Sequence, residues 1–140
     1  DVDTGEVTVI KSVGAHDVGQ SINLRAVEGQ IEGSALMGQG FALSEELILE
    51  KGVLKNGSFS EYLIPTSEDV PEIECIVLES RSGLGPFGSK GIGEPVFSPV
   101  AASIVNAVAD AIGTRIFHLP LTPEKVLAAI NEKKMKQAAE

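Results

Sequence analysis

The sequence predicts a single α+β unit with mixed strands, a glycine-rich helix, a second helix after a glycine-rich loop, and a C-terminal helix. Three observations carry this reading. Short apolar or alternating stretches at Glu6 to Val13 and Glu72 to Glu79 have strand character. A proline-led start and a glycine stop bracket an apolar-periodic stretch from Val100 to Ile112. No repeat, low-complexity tract or linker divides the 140 residues, which suit one domain with a modest core.

Taken in order, Glu6 to Val13 reads as a strand that enters a turn at Gly14 to Gly19. Asn23 is placed to cap a helix running from Leu24 towards Leu47. That helix contains Gly29, Gly33, Gly38 and Gly40, each unfavourable by roughly 1 kcal/mol relative to alanine in a helix interior. Gly29 and Gly33 share a face, which either a second backbone or a ligand can approach closely. Asn56-Gly57 signals a hairpin between Leu47 to Leu54 and Phe59 to Ile64. Pro65 to Pro71 reads as a loop, and Glu72 to Glu79 as a strand with Ile73, Cys75 and Val77 on its apolar side. Ser98 at the N-cap and Pro99 at the first helical position begin the best-defined helix, lined by Val100, Ile104, Val108 and Ile112 and stopped by Gly113. Ile116 to Leu119 suggests a short strand. Thr122-Pro123 starts a final helix through Val126, Leu127 and Ile130, and residues 133–140 read as a solvated, frayed tail.

Composition narrows the function classes. Twenty acidic residues against 11 basic give a net charge of −9, which offers no positive footprint for nucleic acid or an anionic membrane, so neither partner is expected. The apolar run Ala101 to Ala109 is broken by Ser103 and Asn106 and reads as too short to span a bilayer, and a soluble chain is expected. A single cysteine excludes an internal disulfide and a thiolate cage, and agrees with a cytoplasmic address. Cys75 reads as a buried strand position. His16 and His118 lack the spacing of metal ligands, so no protein metal site is expected; His16-Asp17 reads as a turn-stabilising pair.

The stretch with most chemical character is Gly85-Pro86-Phe87-Gly88-Ser89-Lys90-Gly91-Ile92-Gly93-Glu94-Pro95. Its glycines permit positive φ and close approach to a ligand, and Pro95 fixes the backbone after the acid, so Glu94 is presented from a shaped turn. Lys90 has three readings: it neutralises an anionic group, pairs with a loop carboxylate, or is simply solvated. A second stretch joins it. His16-Asp17-Val18-Gly19, Asn23, Val27-Glu28-Gly29-Gln30-Ile31-Glu32-Gly33 and Met37-Gly38-Gln39-Gly40, followed by Lys90-Gly91-Ile92-Gly93-Glu94-Pro95, resemble in order the molybdenum-binding subunit of xanthine dehydrogenase and aldehyde oxidase type hydroxylases.

The resemblance runs from about Gly5 through Leu119 to Val126 and implies that residues 1–140 are the C-terminal part of a molybdopterin-binding domain in a much longer subunit. Asp1 in place of an initiating Met agrees with a processed product or a piece of a longer chain. The resemblance further implies that Glu94 is the general base, that Gln30, flanked by Gly29, contacts the pterin, and that Gly93 borders the cofactor. Glu32 reads as a structural hydrogen-bonding residue. The family's molybdenum is held by the pterin dithiolene with no protein ligand, and the cofactor would be shared with segments absent here. Iron–sulfur and FAD groups would lie only on partner domains or subunits. The implied substrate is a heterocycle or aldehyde, hydroxylated with oxygen from water. A rival reading is a non-catalytic assembly or cofactor-holding module. An unrelated α+β binding domain fits the composition but leaves the two ordered motifs unexplained.

Overall fold

The computed structural model describes residues 1–139. Its centre is a two-stranded parallel sheet, β1 (Lys11–Asp17) beside β4 (Glu72–Leu78), in register from Lys11 opposite Glu72 to Asp17 opposite Leu78. Helix α1 (Leu24–Leu43) lies in the crossover between them. A small antiparallel hairpin, β2 (Leu49–Glu50) and β3 (Val53–Leu54), precedes β4. After the glycine-rich loop come a single turn α2 (Glu94–Phe97), then α3 (Val100–Ile112) and α4 (Pro123–Ala138). The α+β class is the one the sequence predicts.

Helix α1 forms because Asn23 caps it, its Oδ1 accepting from the Ala26 N–H at 3.1 Å, a contact worth about 1 kcal/mol. One side of the helix buries Val27, Ile31, Ala35 and Ala42. Gly38 is required on that side, since a Cβ there would collide with Val100 of α3. Two apolar clusters result. The first joins Val18, Val27, Ile31 and Val96, with Cys75, Val77 and Ile92 against it. The second joins Ala42, Ile104, Val108, Leu121, Val126 and Ile130.

Several boundaries differ from the sequence reading, each for a physical reason. The first strand starts at Lys11 and passes through Gly14, because only residues 11–17 find a pairing partner in β4. Gly14 serves the strand by its small size, a Cβ there lying 2.6 Å from Cγ2 of Ile31. Val7 and Val9 instead pack into the second cluster without ladder bonds. Helix α1 stops at Leu43, where the Ser44 N–H returns to Gly40 O at 2.9 Å and its hydroxyl donates to Leu63 O at 2.8 Å. The hairpin turn is Lys51-Gly52, both at positive φ (51° and 81°), and Phe59 to Ile64 forms no strand. Asn56 is buried behind that hairpin, donating to Glu46 O and accepting from the Ile48 N–H.

Ser98 closes α2 as its C-cap rather than opening α3, and Pro99 takes the N-cap position of α3. Together α2 and α3 give a 19-residue helical span, Glu94–Ile112, which by length and composition alone reaches membrane-spanning size, longer than the sequence reading allowed. It is broken at Ser98-Pro99, and it contributes Val96, Ile104 and Val108 to the two clusters. Ile116 to Leu119 forms no strand; Ile116 and Leu119 pack by their side chains while the Lys125 ammonium donates to Leu119 O and Pro120 O. Gly113 ends α3 at φ 67°, as its glycine predicts. The predicted frayed tail is helical through Ala138, tied by Lys136 to Glu132 at 2.7 Å and by the Lys133 ammonium to Ile112 O at 3.0 Å. Glu140, the end of that predicted tail, lies outside the described residues.

Candidate functional site

Gln30 and Glu94 come from segments far apart in sequence, and the first apolar cluster brings them together. Val27 and Ile31 flank Gln30 on α1, Val96 sits two residues beyond Glu94, and all three are buried in one contact with Val18. Gln30, Gly93 and Glu94 remain exposed above that cluster. A Cβ at Gly93 would lie 4.0 Å from Oε1 of Gln30, so the backbone before the acid runs past the amide. Alongside, Gly29 and Gly33 are exposed and bare: a Cβ at either would meet nothing within 4 Å. The helix glycines therefore divide into two kinds. Gly38 and Gly40 are small because Val100 and Pro65 press on them, whereas Gly29 and Gly33 are small with nothing of this chain against them.

The glycine-rich loop is shaped otherwise than its sequence suggests. Of Gly85, Gly88, Gly91 and Gly93, only Gly88 takes positive φ (80°), and Phe87, not a glycine, joins it at 58°. Gly85 is small because the Ser89 side chain and backbone lie against it, and Gly88 donates to Gly85 O at 3.0 Å. Gly91 faces open space.

Where the loop returns to the sheet, Lys90 is fixed twice: its N–H donates to Val18 O at 2.8 Å and its ammonium meets Asp17 Oδ2 at 2.7 Å. The other Asp17 oxygen accepts from the Gly19 N–H at 2.9 Å and the Ser80 hydroxyl at 2.9 Å. The Lys90 ammonium first, then these donors, hold the Asp17 carboxyl well below the usual carboxylate range. Of the three readings left open for Lys90, the carboxylate pair is the one formed. Asp17 is the residue the sequence reading undervalued: by sequence it falls in a turn beside His16, whereas the structure sets it at the end of β1, and Ser80 carries no signal.

The other sequence-selected residues fall outside this constellation. Glu32 is exposed on α1. Cys75 is half-buried rather than buried in its strand, and desolvation, with the Glu32 and Glu28 charges adding to it, pushes its thiol up. His16 lies on the half-buried face of β1. Among the described residues no three His, Cys, Asp or Glu side chains converge as a metal site. A cleft of about 620 Å³ runs between Val7 to Val13, Ala35 and α3, and neither Gln30 nor Glu94 lines it. Lys11 is its one charged wall residue, so proton-transfer chemistry has no partner there.

This geometry fits a polar, flat-edged cofactor. The bare Gly29–Gly33 face is a cradle that any Cβ would narrow, the Gln30 amide both donates and accepts, and the backbone that leads to the exposed Glu94 runs past it. Comparison with known proteins agrees. The family model of the molybdopterin cofactor-binding domain matches residues 1–71. The xanthine dehydrogenase molybdenum-binding subunit of Escherichia coli O157:H7 is 39% identical over 128 residues, which are 90% of this chain and 17% of that protein. The aldehyde oxidoreductase of Desulfovibrio desulfuricans superposes with a TM-score of 0.84 at 40% identity, over 91% of this chain and 14% of that one. Quinoline 2-oxidoreductase of Pseudomonas putida gives 0.80 at 37% identity, over 89% and 16%. The chain thus spans about a sixth of the length of such relatives. It belongs to the molybdopterin cofactor-binding domain family, as a segment of the kind found in xanthine dehydrogenase and aldehyde oxidoreductase type molybdenum enzymes.

Proposed function

We propose that this chain is the C-terminal part of the molybdopterin-binding portion of a molybdenum hydroxylase, contributing the general base Glu94 and the pterin contact Gln30 to a site that the rest of the subunit completes. The observation that carries this reading is the meeting of Gln30 with the Gly93-Glu94 backbone beside the bare face of Gly29 and Gly33. The whole enzyme hydroxylates a heterocycle or an aldehyde, and passes electrons to iron–sulfur and flavin groups on partner domains or subunits. When bound, the molybdenum–pterin group supplies the two-electron redox chemistry and the oxygen drawn from water.

The residues of this chain do the positioning and the proton transfer. Gln30 offers an N–H donor and a carbonyl acceptor to the polar edge of the pterin, and Gly29, Gly33 and Gly93 leave the room for it to lie close. Glu94 would accept the proton released as oxygen is transferred to substrate carbon, a role that requires hydrogen-bond reach and a fixed backbone. Pro95 and the burial of Val96 supply that fixation on one side. The test is molybdenum content and turnover per molybdenum in the full-length enzyme carrying Glu94→Gln or Gln30→Ala: the first is expected to lose rate at full loading, the second to lose loading.

A further inference from the structure

The backbone leading to Glu94 is held on both sides of Gly91. Downstream, Val96 is buried at 2% exposure. Immediately upstream, Gly93 O accepts from the Val96 N–H at 3.3 Å and Ile92 packs against the same cluster, whereas Gly91 meets no atom within 4 Å of a Cβ. Beyond Gly91 the next fixed point is Lys90. Its backbone is bonded to Val18 O and its side chain to Asp17 Oδ2, and each partner of that ion pair is only 35% exposed. Asp17 is itself immobilised by the Gly19 and Ser80 donors at the end of β1, the strand next to the cluster that seats Gln30. Besides the apolar cluster, a second, polar tie from Gln30 to Glu94 thus runs through the sheet, Asp17 and Lys90.

We propose that the Asp17–Lys90 ion pair is a positioning clamp that fixes the Lys90 to Gly93 backbone, and hence the Glu94 carboxylate, relative to Gln30. Neither residue touches the reacting atoms. An exposed ion pair adds little to stability, and the effect of this one is geometric: small displacements of a catalytic group cost about 10²-fold in rate. The consequence for catalysis rests on Glu94 being the base, whereas the consequence for the backbone does not.

The variants are Asp17→Asn, which keeps an oxygen for Gly19 and Ser80 but cannot accept from Lys90 on its amide nitrogen, Lys90→Met, their combination, and Lys90→Arg. In the full-length molybdenum-loaded enzyme two quantities are read: amide hydrogen exchange over residues 90–93 and turnover per bound molybdenum. Each single charge-removing variant is expected to speed exchange in that segment at least several-fold with α1 unchanged, and to lower turnover per molybdenum by about 10- to 100-fold. The double variant should be no worse than the poorer single, and Lys90→Arg should stay within a few-fold of the parent. Wild-type exchange at 90–93 in both single variants overturns the clamp, as do multiplying effects in the double. A Glu94→Gln control separates the two claims. If that control turns over normally while Asp17→Asn loosens the segment, the base assignment fails and the clamp stands; if the control is inactive and Asp17→Asn is wild-type in exchange and rate, the clamp alone fails.

Discussion

Gly93 runs past the amide of Gln30: a Cβ added at Gly93 would lie 4.0 Å from Oε1 of Gln30. That approach brings a helix glutamine beside the backbone that leads into α2 and Glu94, and it exists because Val27 and Ile31 on one side and Val96 on the other are buried in the same cluster. The site is a by-product of core packing, since neither Gln30 nor Glu94 is itself buried.

The two kinds of glycine in α1 make opposite stability predictions. Gly29→Ala meets nothing within 4 Å and is expected to stabilise the folded chain by about 0.5–1 kcal/mol through helix propensity. Gly38→Ala drives a methyl into Val100 and is expected to destabilise by about 1–3 kcal/mol. Thermal melts of both variants check the contrast. For Gly29→Ala the full-length enzyme should in addition lose cofactor loading; normal loading would remove Gly29 from the contact surface.

Gln30→Ala removes the polar partner offered to the pterin. A lost hydrogen bond of this kind weakens cofactor binding by about 1–3 kcal/mol, seen as lower molybdenum content with turnover per molybdenum nearly preserved. Full loading at ordinary chelator resistance would leave Gln30 without the assigned role.

The second cluster holds α1, α3 and α4 together around Leu121, which is 2% exposed and whose N–H donates to Ala42 O at 2.7 Å. Leu121→Ala is expected to cost about 2–5 kcal/mol by leaving a cavity there. Chemical denaturation gives the value directly, and a change within 0.5 kcal/mol would mean the cluster is not packed as described.

Cys75 should resist alkylation in the folded chain. Its thiol is pushed up by burial and by the Glu32 and Glu28 charges, so the reactive thiolate is scarce at neutral pH. The raised pKa favours the folded state below the unfolded thiol range, and that advantage is lost as pH climbs through the folded value. Iodoacetamide labelling at neutral pH, folded against denatured, should differ by more than tenfold; equal rates would contradict the burial.

Much of this was legible in the residues. Asn23, Thr122-Pro123 and Gly113 mark helix ends by chemistry that acts within a few residues, and all three act where expected. Asn56-Gly57 misled because the same amide that favours a turn is consumed here in bracing Glu46 and Ile48 across the hairpin base. The strand at Lys11 to Asp17 was displaced because strand limits are set by the partner β4, which local alternation does not encode. The loop motif and the Gln30 motif were both readable, yet their joining through Asp17, Lys90 and Val96 is tertiary and left no periodic trace.

The most direct test of Glu94 as the base is a single comparison in the full-length enzyme. Glu94→Gln keeps size and hydrogen bonding and cannot take up a proton. With molybdenum content equal to the parent, turnover per molybdenum is expected to fall by about 10²–10⁴-fold. Turnover within a few-fold of the parent at full molybdenum loading would show that another group accepts the proton and would contradict the assignment.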